Sequence, residues 1–360
     1  MKKFSVLLSL VALAIIFAGC EGPAGADGTA GADGIAGVDG TDGTDGLPGV
    51  DINETCKVCH ADGDTPIKAM QVQWAASLHA GGGNFERNGT SCAPCHVSQG
   101  FIEVLSTGAD TTVADISNPA PINCRTCHTI HTAYDLTDWA FRVTEAVTTL
   151  QDPTATIDLG KANLCASCHQ ARAATIPAVT AAITDSITVT SSRYGPHHGP
   201  QSNLLAGVAA GWKVAGSKTY ANSAHTSITD GCVACHMADA YGAQAGGHTM
   251  ALIYDYHGSD RFNEAGCESC HPDGGDEEIT TLTAEIQPLL DGIETILIAR
   301  GVLTATGSAV AQKMNAIEAG ALYNYRMVVL EDRSMGAHNP KYIVALLTNT
   351  KEALDDIDGQ

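Results

Sequence analysis

Cys165-Ala-Ser-Cys168-His169 decides how the rest of the chain is read, because the same five-residue pattern occurs six times. The other copies are Cys56-Lys-Val-Cys59-His60, Cys92-Ala-Pro-Cys95-His96, Cys124-Arg-Thr-Cys127-His128, Cys232-Val-Ala-Cys235-His236 and Cys267-Glu-Ser-Cys270-His271. In chain order they are motifs 1 to 6, so the first quoted is motif 4. Twelve of the 13 cysteines fall in the pattern, which leaves no pair for a disulfide. The spacing puts two thiols one helical turn apart and an imidazole immediately after them.

Two thiols so placed can each form a thioether to one of the two vinyl groups of a porphyrin while the next residue turns its imidazole under the iron. Cys-x-x-Cys-His is the attachment signal for haem c. Zinc sites and exported thioredoxin-like redox motifs also use Cys-x-x-Cys, but neither predicts an adjacent His in every copy. The reading therefore predicts six haem c groups held by the twelve cysteines, with His60, His96, His128, His169, His236 and His271 as proximal iron ligands.

Of the 14 histidines, eight remain: His79, His131, His197, His198, His225, His248, His257 and His338. Eight spare imidazoles around six open iron positions favour two-histidine, low-spin haems, which carry electrons and bind no substrate. The expected distal ligands are His79, His131, His198, His225, His248 and His338. His131 lies too close to His128 to reach the far side of the same haem, so it is assigned to a neighbouring one. His79, His225 and His248 sit among small residues that let a flat macrocycle approach the backbone. Adjacent His197 and His198 can hardly serve one iron, and one of them is expected to donate a hydrogen bond to a ligand instead. His257, between Tyr256 and Gly258, is left spare.

Composition agrees with a core filled by something other than side chains: 360 residues include only 5% aromatics and 38 Gly. A net charge of -21 repels nucleic acid and anionic lipid alike. Residues 1–19 read as a secretory signal, with Lys2 and Lys3 before an apolar run too short to span a bilayer. Cys20 then reads as a lipidated first mature residue, the membrane anchor of an exported protein held at the periplasmic or outer face of a bacterial envelope. From Gly22 to Gly49 every third residue is Gly, ten times over. This collagen-like stretch, within a segment spanning 20–50, reads as an extended tether reaching about 90 Å, with a trimerising stalk as the alternative.

Residues 51–276 carry the motifs. Most gaps between motifs are short, but motifs 4 and 5 lie 67 residues apart. That insertion contains an alternating Ile183–Ser191 stretch expected as a strand, and Thr137–Leu150 is expected to be helix-like. Residues 277–360 turn helical, with Ile279, Leu282, Ile286, Leu289, Ile293 and Leu297 at three- and four-residue spacing. One helix ends at Gly301, a second covers 308–332, and a third runs from Pro340 to about Ile357. Their apolar faces are expected to pack on the haem domain, with a dimer interface as the alternative. The fold class expected is mainly α with much irregular structure, a multihaem cytochrome c fold built round packed haems and ending in long helices.

Between Gln73 and Leu347 the chain resembles the multihaem c-type cytochromes related to pentahaem nitrite reductase and the octahaem hydroxylamine and tetrathionate enzymes. The likeness rests on Trp74 to His79, Arg193-Tyr-Gly-Pro-His-His-Gly-Pro200, Cys235-His236-Met237 with Gly246-Gly-His248-Thr, and Tyr323-Asn-Tyr-Arg with Ser334-Met-Gly-Ala-His-Asn-Pro340. It implies distal roles for His248 and His338 and subunit packing by the C-terminal helices. The typical nitrite reductases hold their catalytic haem with Cys-x-x-Cys-Lys, whereas all six motifs here end in His. Electron relay between redox partners is therefore the expected function, from a quinol-linked or periplasmic cytochrome to a terminal, even extracellular, acceptor. The alternative is a reductase of a small nitrogen or sulfur oxyanion, with one open haem beside Arg193, Tyr194 and His197.

Overall fold

The structure is a computed structural model that describes residues 66–132, 136–197 and 199–358. Motif 1, Cys20, the Gly-repeat segment and His198 lie outside the described residues. The chain is mostly helical with much irregular structure. Its short helices lie near the motifs and its long ones gather at the C-terminal end.

Helices α1 (Pro66–Ala75) and α2 (Leu78–Gly81) precede motif 2. Motif 2 forms α3 (Ala93–His96) and leads into α4 (Ser98–Thr107); motif 3 forms α5 (Cys124–Cys127). Motif 4 opens on α6 (Asn163–Ala166), followed in the long insertion by α7 (Gln201–Ala206), and motif 5 is α8 (Cys232–His236). The last three helices are α9 (Gly275–Ala299), α10 (Ala316–Arg326) and α11 (Pro340–Asp358).

Helix α9 buries Leu282, Ile286, Leu290, Ile293 and Leu297, one stripe at three- and four-residue intervals. Asp276, Glu277 and Glu278 complement the dipole of its first turn. That stripe packs with buried Leu322, Tyr323, Ile343, Leu346, Leu347 and Leu354 from α10 and α11 into one hydrophobic cluster. This end of the protein thus has a core of its own side chains, which corrects the expectation of a core supplied largely by cofactor. Gly320 on α10 lies flat against the Trp212 indole, where any Cβ would collide with the ring. Asn324, fully buried, accepts from the Trp212 N–H at 2.7 Å and donates to the Trp212 carbonyl at 2.8 Å and to the Thr350 hydroxyl at 2.9 Å. The long insertion is thereby fastened to α10 and α11.

Strands are short and paired in twos, all antiparallel. β1 (Val147–Thr148) pairs β2 (Thr156–Ile157), β3 (Ser186–Thr188) pairs β6 (Lys313–Asn315), and β4 (Ile253–Tyr256) pairs β5 (Ser259–Phe262). The expected strand within 183–191 is β3. Its partner shortens the second long helix, which starts at Ala316 and not at 308, because Asn315 caps it through Ile317 and Glu318. Between Thr137 and Leu150 there is only a 3-10 turn, Leu136–Trp139, before β1. The Trp139 and Ala140 carbonyls are drawn instead to His128 and Thr129. Beyond α10 the chain widens into a π-helical turn, Met327–Asp332, before α11. Among the described residues no helix is long and apolar enough to cross a membrane.

A cavity lined by five Cys-x-x-Cys-His motifs

Each described motif is a single helical turn, as two thiols at that spacing require. The His N–H bonds back to the first Cys carbonyl at 3.1 Å in motif 2, 2.9 Å in motif 3, 2.8 Å in motif 4 and 2.9 Å in motif 6. Motif 3 is set by a reciprocal cap: Asn123 accepts from the Arg125 N–H, and Thr126 accepts from the Asn123 N–H at 2.9 Å. The Thr126 hydroxyl then donates to Ser98 at 2.7 Å, tying motif 3 to the helix that follows motif 2.

All ten described motif cysteines and their five histidines line one continuous, mainly apolar cavity of about 2950 Å³. Single ligand sites usually occupy about 300–1,000 Å³. Shared among five motifs the volume is about 590 Å³ each, within that range. None of the ten cysteines is in a disulfide. Burial holds the Cys127 thiol at about 12, so it is no thiolate near neutral pH. Among the described residues no three His, Cys, Asp or Glu side chains converge as a metal ion would need. A tetrahedral zinc site therefore finds no donor set there.

Across the cavity four pairs of imidazoles face one another, each pairing a motif histidine with one from elsewhere in the chain. Ring centres are 6.0 Å apart for His79 and His169, 6.4 Å for His128 and His248, 6.0 Å for His225 and His271, and 6.3 Å for His236 and His338. Metal–imidazole bonds of about 2 Å on both sides of one ion, plus about 1.1 Å from each nitrogen to its ring centre, give about 6.2 Å. The four separations match what two imidazoles bound to one metal ion would need.

The outer nitrogens fix which nitrogen looks inward. Nδ1–H of His128 donates to the Trp139 carbonyl at 2.7 Å, that of His225 to Ala337 at 2.7 Å, and that of His236 to Met250 at 3.0 Å. A carbonyl can only accept, so Nδ1 carries the proton and Nε2 keeps the lone pair an iron needs. His338 Nδ1–H donates to Asp332 at 2.6 Å. Burial pushes His338 down, but the Asp332 charge and hydrogen bond outweigh it and hold His338 above the ordinary value. His79 is held near 4 by burial and by His169, so it is neutral at pH 7 with its Nδ1 against the Met250 sulfur at 2.9 Å.

Local sequence explains how His79 and His248 are presented. Ser77 caps α2 and accepts from the Ala80 N–H at 3.3 Å, holding His79 in the first turn. His248 follows Gly246 and Gly247, both at positive φ. A Cβ on Gly247 would come within 2.5 Å of the Gln73 carboxamide that accepts the His248 N–H, so only Gly serves there.

The motifs also touch one another. Cys168 Sγ lies 3.9 Å from the Pro94 carbonyl inside motif 2, and the Cys95 and Cys168 thiols are close enough to shift one another's ionisation. Cys165 meets Cys232 of motif 5 in the same way. Gly266 packs so closely on motif 5 that a Cβ there would lie 2.9 Å from Cys235 Cα, joining motif 5 to motif 6. Motif 4 thus lies between motifs 2 and 5, and Cys127 of motif 3 is near enough to interact electrostatically with both its cysteines.

The other candidate residues among those described are placed as follows. His96, His131 and His197 line the cavity, the latter two with left-handed backbone at φ 61° and 59°. His257 lies at the two-residue turn between β4 and β5, where it and Gly258 take positive φ, and its ring meets Tyr256 edge-on outside the cavity. Arg193 and Tyr194, the alternative catalytic donors, do not line the cavity. Arg193 is exposed; Tyr194 packs on Tyr323, donates to the Thr175 carbonyl at 2.8 Å and gives its own carbonyl to Arg326, so that donor set is not assembled with His197. Asp332 and Met250 were missed from sequence. The one available signal was position: Asp332 ends an apolar helix shortly before the His338 segment.

No protein-family model, no curated protein and no solved structure matches this chain.

Proposed function

We propose that the protein is an exported multihaem c-type electron carrier that relays electrons one at a time between redox partners. The observation that carries this reading is the set of four opposed imidazole pairs, each with one motif histidine, at separations of 6.0–6.4 Å. Haem bound there supplies a one-electron iron couple. The residues do the rest. Cysteines one turn apart fix each macrocycle covalently, and Nδ1–H groups held by carbonyls keep Nε2 aimed inward. Two protein ligands on each of these irons leave no position for a substrate, which suits transfer over catalysis.

The contacts from motif 2 through motif 4 to motifs 5 and 6 support a continuous path. The reading extends to six haem c groups, to a lipid at Cys20 as anchor, and to redox proteins as partners on either side. Its test is purification from a host able to attach haem c. The intact mass should carry six haems, and the reduced protein should bind no carbon monoxide. A protein without covalent haem, or one reducing nitrite or hydroxylamine at a high-spin iron, would overturn it.

A further inference from the structure

We infer that Asp332 is a positioning residue that sets the iron at motif 5 to a lower potential than a neutral hydrogen-bond partner would. The inference rests on the haem reading above and concerns only residues of this chain. Among the four described pairs, four outer nitrogens face neutral groups. His128, His225 and His236 donate to main-chain carbonyls, and His79 abuts a thioether. His271 lies 3.7 Å from Glu278, beyond hydrogen-bond reach, and that carboxylate is mostly exposed. His338 alone of these has a carboxylate at hydrogen-bond distance, 2.6 Å, and the Asp332 side chain is fully buried.

The fold keeps that contact in place. Asp332 ends the π-helical turn Met327–Asp332, a widened turn of a kind frequent at functional sites. Its second oxygen accepts from the Ser334 hydroxyl, so the carboxylate is held on both sides. Arg333 and Met335 take left-handed backbone at φ 59° and 50°, a cost the chain bears in folding the segment back so that His338 meets Asp332. A carboxylate accepting Nδ1–H increases the electron donation of the ligand's other nitrogen. Greater donation stabilises the ferric over the ferrous state, so the electron passed to this site from a neighbour is held less tightly.

The experiment is spectroelectrochemical titration of the six-haem protein and two variants, following each transition. Asp332→Asn keeps shape and an acceptor but removes the charge. It should raise one transition by about tenfold in its ferrous/ferric ratio, about 59 mV for one electron, and leave the other five in place. Ser334→Ala removes a donor from the carboxylate, leaves more charge toward His338, and should move the same transition the other way. If Asp332→Asn fails to load haem, the Ser334→Ala shift decides. No shift beyond about 18 mV, twofold in that ratio, in either variant, or one spread evenly over all six transitions, overturns the inference. A wild-type protein without six one-electron transitions would sink the relay reading itself, which keeps the two failures distinct.

Discussion

Replacing His225 with Ala removes one side of the His225–His271 pair, whose ring planes are crossed at 85°. One of six motifs is affected, so about 17% of the iron should lose a ligand. Cys270 is the exposed one among the ten described cysteines, so water can reach this site and convert that fraction from low to high spin. The variant should then bind one carbon monoxide per chain when reduced. Crossed imidazole planes leave two iron d orbitals nearly equal in energy, which gives a ferric signal of large maximal g, whereas the more nearly parallel 29° of His236 and His338 gives a rhombic one. Electron paramagnetic resonance of the variant should lose the part of the large-g intensity due to this pair, keep the part due to His79 and His169 crossed at 65°, and gain one high-spin equivalent, with the rhombic signal intact. The fold should hardly notice, since the Ala337 carbonyl loses one donor, a cost of about 1 kcal/mol. An unchanged spectrum, or loss of the rhombic signal instead, would refute the pairing.

Asn324→Ala strands a buried main-chain N–H and carbonyl of Trp212 and the Thr350 hydroxyl, and should cost about 3–5 kcal/mol, read as a fall in denaturant midpoint. A loss below about 1 kcal/mol would mean the insertion is not fastened there. His257→Ala should leave haem content and spectrum as they were, because that ring lies on an exposed turn; a new high-spin signal would make it a ligand. Cys20→Ala should move the protein from membrane to soluble fractions, and unchanged fractionation would count against a lipid anchor.

What the sequence made legible follows the range of the interaction. A motif of five contiguous residues is a helical turn by its own hydrogen bonds, and the stripe from Leu282 to Leu297 is a helix by its own period, so both could be read locally. Thr137–Leu150 misled because its apolar spacing competes with tertiary demand: the carbonyls at its start are taken by His128 and Thr129. The start of the second long helix was placed too early for a similar reason, since Lys313–Asn315 finds a strand partner in Ser186–Thr188 from the distant insertion. Histidine numbers indicated that enough ligands exist, but not which faces which. His79 meets His169 and His128 meets His248 only through folding, and no local pattern encodes such a pair. The contact of Asp332 with His338 could not be read from sequence, because it depends on a π turn that breaks the helical period.

The most direct test of the central claim is an experimental structure of the haem-loaded protein. An iron should lie between each of the pairs His79–His169, His128–His248, His225–His271 and His236–His338, bonded to a nitrogen of both at about 2 Å. Any of these irons held by its motif histidine alone, or by a different distal residue, would contradict it.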